Sequence, residues 1–161
     1  PTGHDAPIDS KAVNVVSAAQ MKDAVLDALN DADALIMAAA VADYRPANVS
    51  DSKIKKSDEH TVVELEKTDD ILMSVSRRKR TGQVICGFSM ETDNMVENSR
   101  KKLEKKGLDL IVSNNLKTEG AGFGTDTNVV TIITKTGEDS LPIMEKQDVA
   151  KEILDRIVSM L

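Results

Sequence analysis

Seven lysines fall into two tight clusters: Lys53, Lys55 and Lys56, then Lys101, Lys102, Lys105 and Lys106. They stand out in a chain that carries 21 Lys and Arg against 27 Asp and Glu, for a net charge of −6. Gathered ammonium groups attract phosphate oxygens strongly once water is partly excluded. The first cluster therefore reads either as a triphosphate site or as a solvated basic loop. The second sits at the end of a predicted helix, where cations meet the negative end of the helix dipole. That placement offsets the mutual repulsion of Lys102 and Lys106, one turn apart, and stands equally beside ligand binding.

Other residues could complete such a site. Ala38, Ala39 and Ala40 keep side chains small where a ligand could reach backbone N–H groups, and Asp43, Tyr44 and Arg45 follow. The pair Asp69 and Asp70 is first a helix-capping signal. Two carboxylates at that place repel phosphate, so contact with a sugar or base is the better functional reading. Phe88, after Gly87, could stack on a base or fill a strand end. The glycine-rich stretch Gly120, Gly122 and Gly124 precedes a strand instead of opening a helix, and so lacks the context of a dinucleotide fingerprint. There is no Walker-type phosphate loop. Cys86, the single cysteine, lies in an apolar run with no histidine beside it, which argues against a catalytic thiol. His4 and His60 are too far apart in sequence to suggest a histidine metal site.

Hydrophobic periodicity predicts the elements that must position these groups. Residues 13–16 form a short β-branched run. Ser17 and Gln20 make a capping box for a helix through Met21, Val25, Ala28 and Leu29. Residues 34–40 are continuously apolar, as in a strand covered on both faces, and 41–59 form a long polar loop. Residues 61–66 alternate as a strand, and a helix capped by Asp69 or Asp70 follows and ends near Gly82. Strands are expected over 84–88, 108–112 and 129–133, with a helix from Asp93 or Asn94 to Lys106 between the first two. Residues 141–144 are expected to return antiparallel, before a last helix from Asp148. Strands alternating with helices predict an α/β fold: a Rossmann-like, mainly parallel sheet with helices on both faces and a C-terminal antiparallel hairpin.

The length of 161 residues suits a single domain. With one tyrosine, two phenylalanines and no tryptophan, the core must be aliphatic. No run is long and apolar enough to span a bilayer and no signal peptide opens the chain, so a reduced, cytoplasmic setting is expected. The acidic balance argues against nucleic-acid binding.

Taken in order, several segments resemble bacterial phosphopantothenoylcysteine synthetase, the phosphopantothenate–cysteine ligase that is commonly the C-terminal half of a bifunctional coenzyme A biosynthesis protein. They are Ala38-Ala39-Ala40-Val41-Ala42-Asp43-Tyr44-Arg45-Pro46, Lys53-Ile54-Lys55-Lys56, Lys67-Thr68-Asp69-Asp70-Ile71-Leu72, Gly87-Phe88-Ser89-Met90-Glu91-Thr92 and Lys106 to Asn114. Phe123-Gly124 with Asp126 and Asn128 continues the pattern. The resemblance implies CTP-dependent joining of 4′-phosphopantothenate to cysteine through an acyl-cytidylate, with Mg2+ held largely by the nucleotide and no protein-bound organic cofactor. By position it implies a nucleotide site of Met37, Ala38, Ala39, Asp43, Lys53, Asp69, Asp70, Ile71, Leu72, Phe88, Lys102 and Lys106. Lys53 would be the residue that matters most for activation, and 50–60 a flap over the reacting groups. The family is commonly dimeric, which implies a homodimer, and a hairpin over 129–144 would offer an edge.

The family's first βα unit, with a glycine- and serine-rich loop and an essential Asn, has no match here. The expectation is thus an N-terminally truncated ligase domain, able at most to bind CTP by itself. A non-catalytic nucleotide-binding or dimerisation module of the same fold is the alternative.

Overall fold

The computed structural model describes residues 7–53, 62–91, 93–115 and 124–161. Expectations resting on His4, Lys55, Lys56, His60, Gly120, Gly122 and Phe123, and on most of the 50–60 segment, lie outside these residues.

The first helix, α1 (Ala18–Ala28), starts where its capping box predicts: the Ser17 hydroxyl accepts from Gln20 N at 3.2 Å, while Gln20 Oε1 accepts from Val16 N at 2.8 Å. It leads into β1 (Ala34–Met37), and a small hairpin follows from β2 (Tyr44–Pro46) and β3 (Leu65–Lys67). Next come α2 (Ile71–Ser76), β4 (Val84–Glu91), α3 (Met95–Lys105) and β5 (Leu110–Asn115). The C-terminal part holds β6 (Thr127–Asn128), β7 (Val130–Thr134), β8 (Glu138–Ser140), β9 (Met144–Glu145) and α4 (Lys146–Val158).

Five strands form one sheet in the order β1-β4-β5-β7-β8. The β1, β4 and β5 strands are parallel, whereas β7 runs antiparallel to both β5 and β8. Alternation along the strands sorts the core into two layers. Ile85, Ile111 and Ile133 pack with Leu26 and Leu29 of the α1 end, Ile71, Leu72 and Val75 of α2 and Leu103 of α3. Val84, Cys86, Leu110, Val112, Val130 and Ile132 face the other way, onto Val149, Ile153 and Ile157 of α4. Helices thus cover both faces, as predicted, and among the described residues the buried hydrophobic ones include no aromatic. Among the described residues, no helix is long and apolar enough to cross a membrane.

Several boundaries differ from expectation. Residues 13–16 have strand composition but no ladder partner among the described residues. A groove of about 320 Å³, lined in part by Val13, Val15, Met21 and Leu35, lies between that segment and the α1 and β1 elements. The first strand stops at Met37 instead of running to Ala40, in keeping with the weak strand propensity of alanine. The predicted polar loop contains β2, and its partner β3 is displaced to residues 65–67 because pairing with Tyr44–Pro46 sets its register. The fourth strand extends to Glu91, and β5 begins two residues late at Leu110. The strand returning against β7 is Glu138–Ser140, immediately after the turn, and not 141–144. Met144 and Glu145 pair with β6 instead, and α4 begins at Lys146.

Candidate functional site

At the carboxyl ends of β1 and β4 the chain encloses a cavity of about 180 Å³, the position where open α/β sheets bind ligands. Its floor comes from β1 and β4, through Met37 and Phe88, and from Ile71 and Leu72 at the start of α2. One wall is the segment after β1, Ala39 to Asp43. That segment turns tightly, with Val41 N bonded to Ala39 O at 3.2 Å. Thr68 clamps it from the far side: Thr68 N donates to Asp43 O at 2.9 Å, and its hydroxyl donates to Ala42 O.

The opposite wall holds the charges. Asp70 caps α2, one oxygen accepting from Met73 N at 3.1 Å and the other lying 3.2 Å from Lys106 Nζ. Asp69 lies beside Lys22 Nζ at 2.6 Å, and that hydrogen-bonded ammonium holds the Asp69 carboxyl below the usual carboxylate range.

Lys106 reaches the cavity from the end of α3 because that helix closes with a Schellman motif. Leu108 N bonds to Leu103 O at 3.0 Å and Gly107 N to Glu104 O at 3.1 Å, with Gly107 at φ +60°. Higher in the fold, α3 is fixed to the sheet by three buried hydroxyls. Ser99 Oγ lies 2.7 Å from Ser89 Oγ and donates to Ser113 Oγ at 2.9 Å. Ser89 and Ser113 are register partners in β4 and β5, so one helix serine bridges two strands.

Of the residues selected from sequence, Met37, Ala39, Asp43, Asp69, Asp70, Ile71, Leu72, Phe88 and Lys106 line this one cavity. Ala38, Lys53 and Lys102 are not in its lining. Lys53 is exposed and ends the described segment, whereas Lys102 is paired with Glu91. Ala40, one of the three small residues after β1, lines it too, as do Val41, Ala42 and Thr68, which lie inside the matched segments without having been assigned to the nucleotide. Cys86 is buried beneath the site, and burial pushes its thiol up to about 12. Among the described residues, no three His, Cys, Asp or Glu side chains are grouped to hold a metal ion.

Comparison with known proteins agrees with this architecture. Residues 1–161 match the family described as the DNA/pantothenate metabolism flavoprotein C-terminal domain. The coenzyme A biosynthesis bifunctional protein CoaBC of Bacillus subtilis is 47% identical over 149 residues, which cover 92% of this chain and 36% of that protein. A protein named cysteine/cysteine sulfinic acid decarboxylase, from an unknown prokaryotic organism, is 41% identical over 153 residues, 94% of this chain and 43% of the relative. This chain thus spans only about two fifths of the curated relatives it matches. Among solved structures, the C-terminal domain of a CoaBC bifunctional protein superposes with a TM-score of 0.81 at 39% identity, covering 99% of this chain and 72% of that one. On the match along its whole length and the shared fold, the chain belongs to the DNA/pantothenate metabolism flavoprotein C-terminal domain family.

Proposed function

We propose that this chain supplies the nucleotide site of a CTP-dependent phosphopantothenate–cysteine ligase acting in coenzyme A biosynthesis. One observation carries the reading: nine residues assigned to the nucleotide by the sequence resemblance line a single cavity at the strand tips, although they come from four separate stretches of chain. The apolar floor of Met37, Ile71, Leu72 and Phe88 suits a pyrimidine, and the neighbouring carboxylates suit its amino group or the ribose hydroxyls. Phosphates are repelled from Asp69 and Asp70, so they would meet Lys106 on the side of its ammonium away from Asp70 and extend to the lysines beyond the cavity.

The reaction's difficulty is electrostatic, since a carboxylate must approach a polyanion. In the proposed sequence, the 4′-phosphopantothenate carboxylate oxygen attacks the α-phosphorus of CTP, and the bond to the bridging oxygen breaks, releasing pyrophosphate. The cysteine amine then attacks the acyl carbon, loses a proton, and expels CMP. Lysine ammonium groups placed at the phosphates lower the repulsion in the first step and stabilise the charge that develops on the departing pyrophosphate. Lys106 is positioned for this by its helix end, and Lys53 is proposed to join it from the chain after β2. Asp43, Asp69 and Asp70 are not grouped as a ligand set, so Mg2+ would arrive on the phosphate oxygens, where it neutralises charge.

Calorimetric titration of the full-length protein with CTP, ATP and NADPH tests this. CTP should bind selectively, and Lys106→Ala or Lys53→Ala should weaken it roughly tenfold or more, the cost of one charge-assisted contact. Tighter binding of NADPH, or no heat with any nucleotide, would overturn the proposal. CTP binding without formation of phosphopantothenoylcysteine would favour the non-catalytic module.

A further inference from the structure

Glu91, the last residue of β4, is a carboxylate the proposed reaction does not use. It follows Ile85, Gly87 and Ser89 on the sheet face that carries α3. Its side chain is only 17% exposed, and its Oε1 atom is closed to solvent, with no well-aligned hydrogen-bond donor among the described residues. Its charge is balanced by Lys102 Nζ, 2.5 Å from that same oxygen. Lys102 is itself 47% exposed, so among the described residues a nearly buried anion is paired with one partly solvated cation. That is poor compensation for a buried charge.

Lys102 and Lys106 occupy one stripe of α3, a single turn apart. Because α3 crosses back between the parallel strands β4 and β5, its earlier residues lie nearer the strand tips. Lys102 therefore stands nearer the strand tips than Lys106, which lines the cavity. Both lysines are held by carboxylates, Lys106 by Asp70 and Lys102 by Glu91.

We propose that Glu91 is a positioning residue that acts through Lys102: it holds the ammonium as a counter-ion, and the nucleotide's phosphates must draw Lys102 away from it. The inference rests on the nucleotide reading of the cavity. A polyphosphate carries enough charge to displace the carboxylate, and when it leaves Lys102 returns. Nucleotide affinity is accordingly lower than the lysines alone would allow, and Glu91 sets the difference.

The test is a double-mutant cycle on the full-length protein, read as the CTP dissociation constant by calorimetry over a series of salt concentrations. Glu91→Gln should tighten CTP roughly fivefold, the upper range for a partly exposed ion pair, and steepen the salt dependence, because one more lysine is free to meet phosphate. Lys102→Ala should weaken binding, and adding Glu91→Gln to it should then change nothing. Glu91→Met, which drops the charge without leaving an amide, should reproduce the gain if the glutamine variant folds poorly. Unchanged or weaker binding in both Glu91 variants at native melting temperature would overturn the proposal, and so would an equal gain with or without Lys102. If the native protein binds no CTP, the nucleotide reading itself fails, a result distinct from a Glu91 variant that behaves like native.

Discussion

Replacing Ser99 by alanine isolates what holds α3 in register with the sheet. The change removes two hydrogen bonds, to Ser89 and Ser113, and leaves those hydroxyls in a region where all three serines are buried. An unsatisfied buried hydroxyl costs ~1–3 kcal/mol. Ser89 and Ser113 are register partners and can recover part of the loss from each other, so the expected cost is about 2–4 kcal/mol. For a chain of this size that is a melting shift of roughly 4–16 °C. The triple variant Ser89→Ala, Ser99→Ala, Ser113→Ala replaces every hydroxyl by a methyl and strands none. It should be more stable than Ser99→Ala alone, despite having two more substitutions. Urea unfolding, compared at equal slope, measures both. A single variant within 0.5 kcal/mol of native, or a triple variant less stable than the single, would show that the serines are not acting as one dry network.

Two other predictions follow from the same elements. Gly107→Ala places a Cβ at φ +60° and 2.5 Å from Ser76 Oγ; left-handed backbone costs about 1–2 kcal/mol in a residue with a side chain, so differential scanning calorimetry should show a clear loss, with Lys106 displaced and CTP affinity reduced. Cys86 should resist thiol reagents until the chain is unfolded. Its thiol stays protonated to about 12 when folded, against 9.0 when unfolded, so above pH 9 only the unfolded chain gains by ionising. Stability should therefore fall as pH rises from 9 toward 12, by up to about 1.4 kcal/mol per unit from this group. Cys86→Ala should flatten that slope, and an equal slope in both proteins would refute the assignment.

Much of this protein could be read from local pattern. Ser17 with Gln20, and Asp70, mark helix starts because their side chains bond to backbone a few residues away, a relation contained in the sequence. The β-branched and leucine-rich runs of β4, β5 and β7 identify buried strands, since only a two-sided cover tolerates them. The matched segments from Met37 to Lys106 likewise named most of the cavity before its shape was known.

Pairing was decided elsewhere. Residues 13–16 have strand composition yet remain unpaired among the described residues, because a strand exists only where another backbone meets its hydrogen-bonding groups. The return of β8 at Glu138 and the diversion of Met144 to β6 are settled by distant partners, as is the place of β2 and β3 inside an apparent loop. The same holds for the charges. Sequence shows lysine clusters and acidic pairs, but that Lys106 meets Asp70, Lys22 meets Asp69 and Lys102 meets Glu91 depends on how α1, α2 and α3 pack on the sheet. Electrostatic attraction follows separation in space, and only the folded chain fixes those distances.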